Sequence, residues 1–309
     1  MASKTIALPG TAALTFRQHF TGHKARGGGP GGTIWPCGES LAHWLAAQCN
    51  GSHADLDEEV HRALSSGSVK SVLELGCGTG VVGLTLSQLG VPQVVATDGD
   101  PASVLLCESN AEQAGLSSRV TCCQLAWGEA ADDMPQLKEA LARCCGGSAS
   151  GTRCAQWIVG GDVVYHAQSS LELEVTIREL VWRGGCSLIV IGWCERGQQA
   201  ESFLRRLSDL GSVRTAFRER DAKYSFLSRR GSRLITTEVE FGVSLLSVHA
   251  HITAGHPNCG WPSSLLQRCA ILYARLASLA HACLSRCRTL EQIRAEDRDC
   301  DRGAMAPLV

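Results

Sequence analysis

The stretch Val72 to Leu84, VLELGCGTGVVGL, gathers residue types that could seat a ligand. An apolar run leads into a turn with Gly76, Gly78 and Gly80, and a helical pattern follows. Glycine is needed where a backbone turns sharply and must approach a ligand with no side chain between. The spacing is G-x-G-x-G: Val81 stands where the dinucleotide fingerprint G-x-G-x-x-G would place its third glycine, and Gly83 comes two residues later. Glu74 immediately precedes the turn, where a carboxylate would repel a pyrophosphate but suit a ligand carrying an ammonium and a sulfonium. Asp98 closes the next apolar run, in VVATDGD, where it can accept both hydroxyls of a ribose. Together these residues fit S-adenosylmethionine better than a nicotinamide dinucleotide.

Such residues need a scaffold that delivers them to one crevice, and from residue 68 onward the chain reads as one. Short apolar runs alternate with helical patterns, the signature of a parallel sheet covered by helices. Strands are expected at Ser71–Leu75, Gln93–Thr97, Arg119–Leu125, Trp157–Val159, Ser187–Ile191, Val213–Arg218 and Arg233–Phe241, seven in all. Between them, Thr79 to Leu89 reads as a helix stopped by Gly90 and Pro92, and Asp100 with Pro101 reads as the cap and first residue of a helix closed by Gly115. Further helices are expected within Ala126–Arg143, at Gln168–Val181 and at Gln198–Leu210. Cys144–Arg153 reads as a flexible insertion. Upstream, the glycine-rich run 27–32 is stiffened by Trp35 and Pro36 at the mouth of an amphipathic helix carrying Leu41, Trp44 and Leu45. An indole there is either a packing plug or a lid.

Set in order, ELGCGTG, ATDGD and the later GGDVVY resemble the class I, seven-stranded methyltransferases, and within them the protein lysine methyltransferases sometimes called family 16. That group has an Asp-x-x-Tyr/Phe motif after the fourth strand, matched by Asp162, Val163, Val164 and Tyr165. It also has a Trp before the first strand and a Trp-Gly after the third, matched by Trp35 and by Trp127 with Gly128. The resemblance covers about residues 31–245 and implies an α/β, Rossmann-like sheet with helices on both faces. It implies that Gly76, Cys77 and Gly78 line the methionine half of S-adenosyl-L-methionine, that Asp98 holds the ribose, that Trp127 flanks the adenine, and that Glu74, Gly80 and Gly161 also belong to the cofactor site. It makes Trp35 a lid and gives Asp162 and Tyr165 the acceptor: the first to orient an amine, the second to wall its channel. Where the family often has Ala before the Asp-x-x-Tyr motif, this chain has Gly161, small enough to let backbone approach. The implied reaction is methyl transfer to a protein lysine. A protein histidine or a small molecule as acceptor, and a cofactor-binding module without turnover, stay open.

Bulk properties set limits on these readings. With 29 Lys and Arg against 30 Asp and Glu, net charge −1, the chain lacks the basic excess that nucleic acid or a membrane surface rewards. No signal-peptide pattern and no bilayer-length apolar run is seen, so the sixteen cysteines are expected as reduced thiols, in the cytoplasm with the nucleus as a second compartment. No C-x-x-C occurs, and no metal is expected; the nearest approach to a ligand set is His281, Cys283 and Cys287. The segment before residue 31 is expected to be flexible, residues 246–309 to be a Cys/His-rich tail, helical or disordered, and the protein to be a monomer. His166 reads as solvated, and the cluster Arg214, Arg218, Arg220, Lys223, Arg229, Arg230 and Arg233 as a solvated hairpin rather than an RNA or acidic-protein guide.

Overall fold

The computed structural model describes residues 2–19, 30–128, 135–144, 154–195, 199–227 and 234–249, with backbone alone at 144, 220–227 and 234–239. Residues 20–29, residues 145–153 of the expected insertion, residues 250–309 with His281, Cys283 and Cys287, and Arg229, Arg230 and Arg233 lie outside the described residues.

The chain opens with β1 (Ala2–Ile6) and β2 (Leu14–Gln18), an antiparallel pair in which Ile6 faces Leu14. This corrects the expectation of a flexible start. Ile6, Leu8, Leu14 and Phe16 alternate inward around a turn at Pro9 and Gly10, and Ile6 and Phe16 are only 2% and 1% exposed. A 3-10 turn at Pro30–Gly32 leads into α1 (Pro36–Asn50), with Trp35 as its N-cap and Pro36 in its first turn. Next comes α2 (Glu58–Ser65), absent from the sequence reading and capped by Asp57, whose carboxylate accepts from Val60 N at 3.1 Å.

The sheet follows in the expected alternation. It runs β3 (Ser71–Leu75), α3 (Val81–Gln88), β4 (Gln93–Asp98), α4 (Pro101–Gln113), β5 (Val120–Gln124), α5 (Pro135–Cys144), β6 (Trp157–Gly161), α6 (Ala167–Trp182), β7 (Leu188–Cys194) and α7 (Gln199–Arg206). Two long strands close it, β8 (Gly211–Leu227) and β9 (Leu234–Val248). The seven strands β3 to β9 lie in the order β5-β4-β3-β6-β7-β9-β8, parallel through β7 and antiparallel in the final pair. The α/β class and the strand count stand as expected. The last two strands are longer than their apolar runs indicate, because antiparallel pairing carries the ladder out to Leu227 opposite Leu234, with register shifts at Thr215/Phe217 and Glu219/Ala222.

Each parallel strand is buried on both faces, so its alternating residues feed two cores. Val72, Val94, Val159 and Val190 face α1, α3 and the β1–β2 pair; Leu73, Val95, Ile158 and Ile189 face α5, α6 and α7. Strand order reverses at β3, whose neighbours are β4 and β6, and a crevice opens beyond the carboxyl ends of β3 and β6.

Candidate active site

That crevice is a cavity of about 570 Å³. Its floor is the turn after β3. Gly76, Gly78 and Gly80 have φ of 68°, 52° and 84°, the left-handed region that glycine enters without strain. A Cβ on Gly76 would lie 2.9 Å from Val163 Cγ1 and 3.1 Å from Trp127, and one on Gly78 would lie 2.8 Å from Gly31 O. The residue 30–32 turn therefore crosses directly over the glycine turn. It is tied there by His19 N donating to Gly32 O at 2.6 Å and by Trp35 Nε1 donating to Pro30 O at 2.8 Å. Trp35, 38% exposed, stands on the cavity rim, and Trp127 lines the wall beside Gly76.

Asp98 ends β4 with both oxygens engaged: Gly78 N donates to Oδ2 and Asp100 N to Oδ1, each at 2.9 Å. Each oxygen keeps a second lone pair for a ligand hydroxyl. Burial raises the Asp98 pKa, against the lowering effect of the Asp100 and Gly78 amides. Cys77 lines the cavity, and its thiol is hydrogen-bonded with that of Cys107; that bond lowers the thiol pKa, burial raises it, and the balance stands at about 12.

Glu74 lines the cavity and also serves the fold. It is 1% exposed, and Oε2 accepts from Gly83 N at 3.0 Å in the first turn of α3. Burial lifts its carboxyl to about 8, so near neutrality it is mostly uncharged. Glu74 thus anchors the first turn of α3 while lining the cavity.

At the end of β6, Gly161 is pressed by α1: a Cβ there would lie 2.9 Å from Gly38 Cα. Asp162 follows with φ of 60°, the one positive value at a residue other than glycine among the described residues, and its N–H donates to Gly192 O at 3.0 Å. Aspartate tolerates this conformation better than most side chains, and the turn holds Asp162 at the cavity. Tyr165 stands on the rim, 44% exposed; partial burial and then the Asp98 charge raise its phenol pKa, against a hydrogen bond with Ser169. His166 is exposed at the N-cap of α6.

The structure thus brings together every residue selected from the sequence except Gly80, which turns the chain into α3 without lining the cavity. The lining also includes Asp100 and Glu172, to which the sequence reading gave no ligand role. Asp100 is legible as a helix cap, and Glu172 on α6 carries no local signal at all. The lining carboxyl residues are Glu74, Asp98, Asp100, Asp162 and Glu172, and among the described lining residues there is no lysine, arginine or histidine.

A model of the family described as lysine methyltransferase matches residues 17–144. Protein N-lysine methyltransferase METTL21A of Danio rerio is 31% identical over 146 residues, 47% of this chain and 58% of that protein. A ribosomal protein L11 methyltransferase of Haemophilus influenzae is 39% identical over 51 residues, 16% of this chain and 17% of that protein. The matches therefore span less than two thirds of these relatives' lengths. Among solved structures, a SAM-dependent methyltransferase from Agrobacterium tumefaciens aligns with a TM-score of 0.45 at 13% identity, over 79% of this chain and 70% of that one. Residues 17–144, which carry the glycine turn and Asp98, match the lysine methyltransferase family, and the resemblance to class I methyltransferases read from the sequence is borne out.

Proposed function

We propose that this chain is an S-adenosylmethionine-dependent methyltransferase acting on a lysine side chain of a protein. One observation carries the reading: the cavity at the strand-order reversal is floored by glycines that admit no Cβ, and its described lining holds several carboxyl groups and no cationic side chain. A phosphate-bearing dinucleotide would meet net repulsion there, whereas a ligand with an ammonium and a sulfonium is attracted. The volume, about 570 Å³, suits a ligand of nucleoside size. Gly76, Cys77 and Gly78 would offer backbone to the methionine portion, Asp98 would accept from the ribose, and Trp35 and Trp127 would cover the two sides.

When bound, S-adenosylmethionine supplies an electrophilic methyl group on a positively charged sulfur. The chain's own residues have to align a neutral nitrogen with that methyl and keep water away, which is where the acceleration of an in-line displacement arises. Asp162 accepts a hydrogen bond from the incoming amine and Tyr165 walls its path. Orientation is the task of Asp162, because a carboxylate beside an amine stabilises the ammonium and raises its pKa. The lysine, with a reference pKa of about 10.4, sheds its proton to water before the amine is enclosed. The nine cysteines whose side chains are described form no disulfide with one another, which supports a reducing compartment, the cytoplasm with the nucleus as a second site.

Calorimetric titration with S-adenosylhomocysteine and, separately, NADH tests the cofactor, and a search for proteins labelled by radioactive methyl tests the acceptor. Binding of the first ligand alone, lost in Asp98→Ala, and labelling abolished by prior blocking of lysine amines are expected. Well-folded protein that binds neither ligand would overturn the cofactor reading; label that survives lysine blocking would move the acceptor to histidine or elsewhere.

A further inference from the structure

The first turn of α1 lies across the ends of β6 and β7. A Cβ on Gly161 would meet Gly38 Cα at 2.9 Å, and one on Gly192 would meet Leu41 Cβ at 3.0 Å. This close approach buries Cys37, 0% exposed, against Cys194, 4% exposed, with a hydrogen bond between the two thiols. Asp162 joins them: both sulfurs and a carboxylate oxygen all lie within 4.8 Å of one another. Among the described residues, no other three Cys, His, Asp or Glu side chains come together so closely.

We propose that Cys37, Cys194 and Asp162 form a binding site for a zinc-type divalent cation that withdraws Asp162 from the acceptor amine. Borderline-soft cations of this type favour a tetrahedral set of thiolate and carboxylate ligands, with metal–sulfur distances of about 2.3 Å and metal–oxygen distances of about 2.0–2.2 Å. Ligand atoms around such an ion stand roughly 3.5–3.8 Å apart, so the group closes on it by side-chain movement alone. Both thiol protons leave to solvent as the metal binds. Of the three ligand residues Asp162 lines the cavity, beside Gly38, so an ion would arrive on the Asp162 side, with water as its fourth ligand. Metal occupancy is thereby a brake: the carboxylate oxygen that would orient the amine is held by the ion instead. This consequence rests on the methyltransferase reading, whereas the binding of metal does not.

The test uses the full-length, reduced, chelator-treated protein titrated anaerobically with Co²⁺, reading the near-ultraviolet thiolate-to-cobalt absorption. Wild type is expected to bind one more thiolate-ligated equivalent than either Cys37→Ala or Cys194→Ala, and the comparison cancels any metal taken by other cysteines. Asp162→Asn is expected to weaken that equivalent by about tenfold or more. Equal stoichiometry and equal absorption in wild type and both cysteine variants would overturn the site. Anomalous scattering at the zinc edge from wild-type crystals grown with zinc decides without any variant: a peak among the three ligand atoms supports the site, and none there overturns it. S-adenosylhomocysteine titrations on the same samples keep the two readings apart. If the cobalt difference persists while wild type fails to bind that ligand, the proposed function falls and the metal site stands. If the ligand binds and the cobalt difference is absent, the metal site alone falls. With both intact, zinc should suppress methyl transfer by wild type and spare the cysteine variants; equal suppression in all three would overturn the brake.

Discussion

Replacing Glu74 by Gln should flatten the pH dependence of stability. The side chain is 1% exposed, and its carboxyl is raised from a usual 4.5 to about 8, chiefly by burial. Below pH 4.5 the folded and unfolded chains both carry the proton. Between 4.5 and 8 the unfolded chain ionises while the native one keeps it, so stability falls as pH rises and the loss is complete above 8. At about 1.4 kcal/mol per pH unit the whole span corresponds to roughly 5 kcal/mol, and the interval from about pH 5 to 7.5 to roughly 3 kcal/mol. Glutamine cannot ionise, and its carbonyl can still accept the Gly83 amide that Glu74 Oε2 holds at 3.0 Å. Melting by circular dichroism should therefore show the two proteins nearly level at about pH 5, with the variant ahead by roughly 6–12 °C at about pH 7.5, taking about 2–4 °C per kcal/mol. Every other titrating group is common to both chains, so the difference isolates this carboxyl. Two melting curves that keep a constant offset across the interval would refute a protonated, buried Glu74 and restore it as a charge.

Two further outcomes follow from packing and charge. Gly161→Ala places a methyl 2.9 Å from Gly38 Cα and should destabilise by about 1–3 kcal/mol in chemical denaturation; an unchanged midpoint would contradict the close approach of α1 to β6. Arg214→Ala removes contacts to Asp57 at 3.1 Å and Glu59 at 2.6 Å, but with 37% of the Arg side chain exposed it should cost only about 1 kcal/mol. That cost should shrink in about 1 M salt, and a salt-independent loss would point to packing instead.

How much of this was legible depended on whether a residue's role is set by its neighbours in the chain or by partners far away. Gly76, Gly78, Asp98 and Asp162 could be selected because a strand followed by a tight turn puts whatever stands there at the carboxyl edge of a parallel sheet, wherever the rest of the chain goes. The alternation of short apolar runs with helical patterns likewise announced a parallel sheet covered by helices. Glu74 was visible as a residue beside the turn, but only the folded distance to Gly83 N shows that its carboxyl also anchors α3. The hairpin β1–β2 hid in five-residue strands whose alternation was too short to stand out beside the glycine-rich run that follows. Gly31 over Gly78, Gly38 against Gly161 and Cys37 beside Cys194 are pairings between segments far apart in sequence, and no local period encodes them. These long-range approaches have one thing in common. All three bring the chain segment from residue 30 to the first turn of α1 down onto the ends of β3, β6 and β7, so the same strap that covers the glycine turn also delivers a thiol to Asp162. A perturbation of either end of that strap should therefore be felt at the other, the cover over the glycine turn and the thiol beside the Asp162 carboxylate being two contacts of one piece of backbone.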